Sequence, residues 1–167
     1  MFEPKMQDLR MLSGKEADVA RANQRRTEAA QAEKDAVVSA SQAEQFAAVR
    51  ERLPNRAGGD DEAVNRARMA KAARARADAL HALAGTGPED FRVQIVDELR
   101  RQLQSLEVTY VQQADKAQHP EAYATGDQTA ESLTHDAVVT EEAVLAIRRT
   151  IDNLDPAGEF EDDEGED

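Results

Sequence analysis

Residues 13 to 53 read as a single helix of about 40 residues, opened by Ser13 with Glu16 three positions on and closed by Pro54. At 1.5 Å per residue such a helix is roughly 60 Å long. That exceeds the width of a compact domain built from 167 residues, so this element alone predicts an elongated shape. Its apolar stripe is thin. Ala22, Ala29, Ala36 and Ala43 recur every seven residues with Val19, Ala40 and Ala47 beside them, while Arg26 and Glu33 interrupt the companion row. Small residues let a second helix approach closely but supply little burial energy. Two states satisfy the pattern: a coiled coil with a tight interface, or a solvated helix that orders on a partner.

Composition bounds what the rest of the chain can add. Val, Ile, Leu and Phe number 30, or 18%, and accompany a net charge of −13, which places the chain at the edge of the disordered class and argues against a thick core, while its length of 167 residues excludes a large two-domain enzyme. Alanine supplies 31 residues, so much of the apolar content favours helix without burying much area. Cysteine is absent, which excludes a disulfide framework, a thiolate nucleophile and a cysteine zinc site. Residues 1 to 12, read as an N-terminal arm, mix Glu3, Lys5, Asp8 and Arg10 with isolated apolar residues and lack the apolar centre of a secretory signal. No stretch approaches the ~20 apolar residues needed to cross a bilayer. The expectation is a soluble protein, cytoplasmic or within a viral particle, with no membrane partner.

Three further helices follow. The connection Pro54-Asn55-Arg56-Ala57-Gly58-Gly59 is full of breakers and reads as a hinge. Asp60, Asp61 and Glu62 then complement the dipole of a second helix that stops at Ala84 before Gly85. The third helix places Pro88 in its first turn and runs to about Gln118, ahead of Pro120. Its seam is the strongest in the chain: Val96, Leu99, Leu103, Leu106 and Tyr110 alternate three and four residues apart, with Ile95 and Val111 widening the face. A loop from His119 to about Gln128 leads to a fourth helix ending at Leu154, where Leu133, Val144, Ile147, Ile151 and Leu154 lie on one face and Thr140 breaks the row. The third and fourth helices therefore predict an antiparallel hairpin whose two stripes pack together. The fold expected is all-α: elongated helical hairpins, or a coiled-coil-like bundle of about four helices. One hairpin spans residues 13–84 with its hinge at 54–59, the other spans 85–154, and an acidic flexible tail occupies 155–167. Eight of the thirteen tail residues are acidic and none is basic. One use of the tail is to dock Phe160 into a partner while Glu161, Asp162, Asp163 and Glu164 meet a basic surface. It could also cover the basic second helix of its own chain.

Charge is divided unequally, and this bears on partners. Residues 1 to 87 hold 15 basic and 13 acidic groups, while residues 88 to 167 hold 6 and 21. An acidic chain repels nucleic acid at long range. The second helix carries Arg66, Arg68, Lys71, Arg74 and Arg76, but at 100° per residue they scatter around it and no aromatic side chains interleave them, so nucleic-acid binding is not expected. Salt bridges to acidic protein surfaces are.

Candidate chemistry is sparse. His81, His119 and His135 fall on different segments without a second histidine at ligand spacing, although Asp78 and Glu131 stand one helical turn before His81 and His135; they read as surface histidines and no metal is expected. Gly59-Asp60-Asp61 resembles a carboxylate turn of template-copying polymerases, but an acidic helix start explains it without a sheet or several hundred more residues. Ser13 and Thr134 read as helix-start residues. No phosphate loop or nucleophile elbow is present, so no catalytic residue and no cofactor is expected. Two functions fit: a non-catalytic structural or scaffolding protein that forms homo-oligomers or joins a larger assembly through helical seams, as in a phage or viral particle; or a regulatory adaptor or assembly chaperone whose acidic tail engages a basic site on a client.

Overall fold

The computed structural model describes residues 14–55 and 59–160. They form an all-α bundle: α1 (Gly14–Arg52), α2 (Asp60–Ala84), a short 3-10 helix (Pro88–Phe91), α3 (Arg92–Gln118), α4 (Pro120–Tyr123) and α5 (Ala130–Leu154). No strand occurs among the described residues. A single antiparallel bridge between Thr125 and Gln128 closes the turn before α5. No helix among these is long and apolar enough to cross a membrane.

Local chemistry sets the helix ends. α2 stops where Gly85 enters the left-handed region at φ 66°, a conformation that costs glycine nothing. α5 starts on a reciprocal pair, in which the Thr129 hydroxyl accepts from the Ser132 amide and the Ser132 hydroxyl accepts from the Thr129 amide, both at 3.1 Å. The third segment departs from expectation. Pro88 does not enter α3 but opens a separate 3-10 turn, held by the Gly87 amide donating to Asp90 Oδ2 at 2.8 Å. The chain bends at Phe91, whose φ of −119° and ψ of 0° interrupt the helix and let its ring turn into the core. The loop expected after His119 also contains the single turn α4, where Pro120 presets the backbone.

α1 is the spine of the bundle, packing on α2 and on α5. α1 and α2 run antiparallel, with Arg50 paired to Asp60 beside the turn, Arg66 over the Phe46 ring at 4.8 Å, and Arg74 on Glu33 farther along. Between them Ala32, Ala36 and Ala77 are buried, with Ala73 and Leu80 packed alongside. α3 and α5 are likewise antiparallel, tied by Tyr110 to Glu141, Glu107 to Arg148 and Arg100 to Asp155. α1 crosses to α5 through Arg52 with Glu141 and Glu142, and through Arg149 with Glu44. α1 therefore points the same way as α3, and Lys34 bridges them to Glu98 at 2.9 Å.

The main core joins these layers. Ala29, Phe91, Ile95, Leu99 and Ile147 are buried together, with Leu80, Leu103, Leu106, Ile151 and Leu154 packed against them. Each large side chain removed from water contributes about 1.5–3 kcal/mol before ordering entropy, whereas the alanine contacts of α2 contribute far less. α2 is held on α1 by small residues and ion pairs, with Leu80 reaching the main core.

Candidate functional site

The sequence-derived seam residues fall into two sets. Val96, Leu99, Leu133, Val144 and Ile147 are buried, while Leu103, Leu106, Tyr110, Ile151 and Leu154 are half-buried. Thr140, which interrupts the apolar row of α5, is buried as well; of the two residues expected to widen the α3 seam, Ile95 is buried but Val111 is exposed, because it lies toward the outward side of the helix. Phe160 is half-buried: its amide donates to Asp155 Oδ2 at 3.1 Å and its carbonyl accepts from Arg100. Residues 155–160, expected as the start of a solvated tail, instead form a closed turn, because buried Asp155 collects the amides of Glu159 and Phe160 and faces Arg100 at 3.3 Å. Glu161, Asp162, Asp163 and Glu164 lie outside the described residues, as do Ser13 and the arm at 1–12.

One polar cluster has the ingredients of a site. Glu33 on α1 is 3% exposed and His81 on α2 is 5% exposed, so the reading of His81 as a surface residue is corrected. The carboxylate of Glu33 accepts a bidentate pair from Arg74, at 2.8 and 2.5 Å, and a third bond from His81 Nε2 at 2.8 Å. His81 Nδ1 lies 3.0 Å from the Thr86 hydroxyl, and its ring stacks on Phe91 at 5.8 Å. The Arg26 guanidinium also lies over the Phe91 ring, 5.8 Å from its centroid. Asp78, one turn before His81, pairs with Arg74 at 2.9 Å instead. Burial pushes the Glu33 carboxyl up, but the hydrogen bonds from Arg74 and His81 together with the Arg74 charge outweigh it and hold the carboxyl below the usual range. The hydrogen bond to Glu33 in turn raises Arg74.

Thr86, His81 and Glu33 stand in the hydroxyl–imidazole–carboxylate order used by nucleophilic triads. The surrounding donors are already engaged. The Gly85 and Thr86 amides both bond the His81 carbonyl, and the Gly87 amide bonds Asp90, so none of these three is left to meet a developing oxyanion. A cleft of about 430 Å³ on this side of the molecule is lined by Thr27, Gln31, Lys34, Arg76, Phe91 and Glu98 rather than by Thr86 or His81. The arrangement ties α2 to α1 through a buried carboxylate whose charge is met by Arg74 and His81.

A second polar group joins three helices. Arg52 reaches Glu141 at 2.6 Å and Glu142 at 2.9 Å, and the Tyr110 hydroxyl donates to Glu141 at 3.1 Å. These bonds raise Arg52, with Glu142 the larger contributor, and raise Tyr110; the Arg52 hydrogen bond lowers Glu141 despite its partial burial. His119 stands near two carboxylates, Glu121 at 3.6 Å and Asp115 at 4.0 Å, and His135 near one, Asp136 at 3.7 Å. No group of three or more potential metal ligands occurs among the described residues.

The cluster at Glu33 escapes a reading of the sequence for an identifiable reason. Arg74 and His81 are seven residues apart and so share one face of α2, and Glu33 interrupts an alanine row; both marks were visible. Their conjunction depends on contacts 41 and 48 residues apart in the chain, which periodicity alone does not pair. No family model, curated protein or solved structure matches this chain.

Proposed function

We propose that this chain is a non-catalytic structural or scaffolding protein that assembles with protein partners, copies of itself included, through helix faces left outside its own core. The observation that carries the reading is the apolar surface of helices whose opposite faces are already packed. α2 buries only Ala77 and His81 among its residues yet exposes Val64, Met69 and Leu83, and α3 exposes Val93, Val108 and Val111. Burying the apolar residues exposed on these two helices against another surface would add to the little that so thin a bundle buries by itself. A component of a phage or viral particle is one setting for such a protein. Light scattering coupled to size exclusion tests it: a mass above that of one chain supports assembly, and a single-chain mass at every concentration and with every candidate partner removes it.

A second reading is favoured by the turn at Asp155. It holds Phe160, the residue before the acidic run in the sequence, against Arg100 on α3. A regulatory adaptor or assembly chaperone that presents this run to a basic client site would use such a mount. Loss of client binding on removal of the run, with the bundle intact, separates this reading from the first.

A further inference from the structure

The outward side of α3 carries a second row at alternating spacings of four and three: Asp97, Arg101, Gln104, Val108, Val111 and Asp115. It lies about a third of a turn around the helix from the buried Val96 and Leu99 and extends roughly 27 Å along the axis. Val108 is 58% exposed and Val111 66%. Two shallow grooves follow the row, of about 280 and 410 Å³; Gln104 lines both and so joins them into one face.

We propose that this face docks against the same face of a second copy of the chain, with the two α3 helices antiparallel. The inference rests on the assembly reading above and names its surface. The order of charges selects both the occupant and the direction. Along the face, Asp97 and then Arg101 stand toward one end, the two valines sit farther along, and Asp115 stands toward the other end. With one copy turned end for end about Val108, each Arg101 lies opposite the other copy's Asp115, Val108 of each covers Val108 of the other on the two-fold axis, and Val111 of each packs one turn along between Gln104 and Val108 of the other. Two-fold symmetry makes both ion pairs at once, as an isologous interface requires. A parallel arrangement would set Arg101 on Arg101 and Asp115 on Asp115, and like charges in register repel.

Within one copy these charges are only lightly engaged. Arg101 donates to the Asp97 carbonyl at 3.3 Å, and Asp115 accepts from the Tyr123 hydroxyl at 3.2 Å and lies 4.0 Å from His119. Both side chains are exposed and within reach of a partner. The apolar residues of α2 offer no such self-match. Arg76 stands seven residues from both Met69 and Leu83 and so shares their face of α2, and two copies of that surface set end for end would bring Arg76 onto Arg76.

Sedimentation velocity of the full chain across the micromolar range is the test, with circular dichroism confirming that each variant stays folded; all four positions are exposed. The expected result is a rise in mass toward two copies for the unmodified chain and a single-copy mass for Val108→Glu and Val111→Glu. Arg101→Glu and Asp115→Arg each weaken association by roughly tenfold, and the double variant restores it, because the reversed charges again face opposite signs. An unmodified chain that stays single at every concentration overturns this interface together with self-assembly. A dimer that survives Val108→Glu and Val111→Glu overturns this surface and leaves self-assembly standing. A double variant no better than the single ones overturns the antiparallel docking.

Discussion

A carboxylate removed from water must be met by donors or give up its charge, and Glu33 is met by three nitrogens. Its pH dependence follows from the direction of its shift. The folded carboxyl lies below the usual range, so the pairing stabilises the bundle fully above the ordinary carboxylate titration and is lost as pH falls through the folded value. Glu141 is shifted the same way by Arg52 and adds to the same acid limb. Glu33→Gln keeps the shape but removes the charge that Arg74 meets. It is expected to cost about 1–3 kcal/mol at neutral pH and to flatten the fall in stability below the ordinary carboxylate range. Urea midpoints measured from neutral to acid pH check both; an unaltered acid limb would mean that Glu33 is not a principal source of it. The substitution also probes why this residue was hard to read. A charge breaking an alanine row is visible in the sequence, but whether it faces water or a buried arginine depends on which helix lies opposite.

Helix boundaries were the most legible feature of the chain, because each is written in one or two residues with a specific backbone effect. Gly85 and Pro120 mark stops, and the acidic run from Asp60 marks a start, without reference to the rest of the fold. The 3-10 turn was not legible: Pro88, Glu89 and Asp90 form a good helix start, and only the pull of Phe91 into contact with His81 and Ile95 separates the turn from α3. Nor did the alanine rows of α1 reveal that it serves α2 on one face and α5 on another, since alanine carries little directional information. Two substitutions test the elements themselves. Gly85→Ala forces a side chain into the left-handed region and should cost about 1 kcal/mol, lowering Tm by roughly 2–4 °C. Leu103→Asp sets a charge against the Leu99 and Ile147 core and should cost about 3 kcal/mol or more, enough to broaden or abolish the cooperative melt. A melt unchanged by Leu103→Asp would show that the α3–α5 seam does not carry the fold.

The junction of bundle and acidic run determines how the two functional readings can be told apart. A cut after Leu154 removes more than charge: it takes away Asp155, which gathers two amides and faces Arg100, and so releases the end of α5 from α3. That cut is expected to lower stability by about 1–3 kcal/mol, and any loss of binding it produces would be ambiguous. A cut after Phe160 keeps the turn and removes six acidic residues, moving the net charge from −13 to −7. The melting temperature should then hold. Self-association should hold or tighten, because two copies of an acidic chain repel less once the run is gone, and the gain should shrink as added salt screens the same repulsion. Capture of a basic client should fail in the shortened chain if the run is the docking element, and persist if the helix faces bind instead. Melting, sedimentation and client capture on this one variant therefore separate an assembly face from an acidic arm: a chain that keeps its stability and its mass but loses the client is an adaptor, and one whose mass falls on losing the run has an interface that includes it.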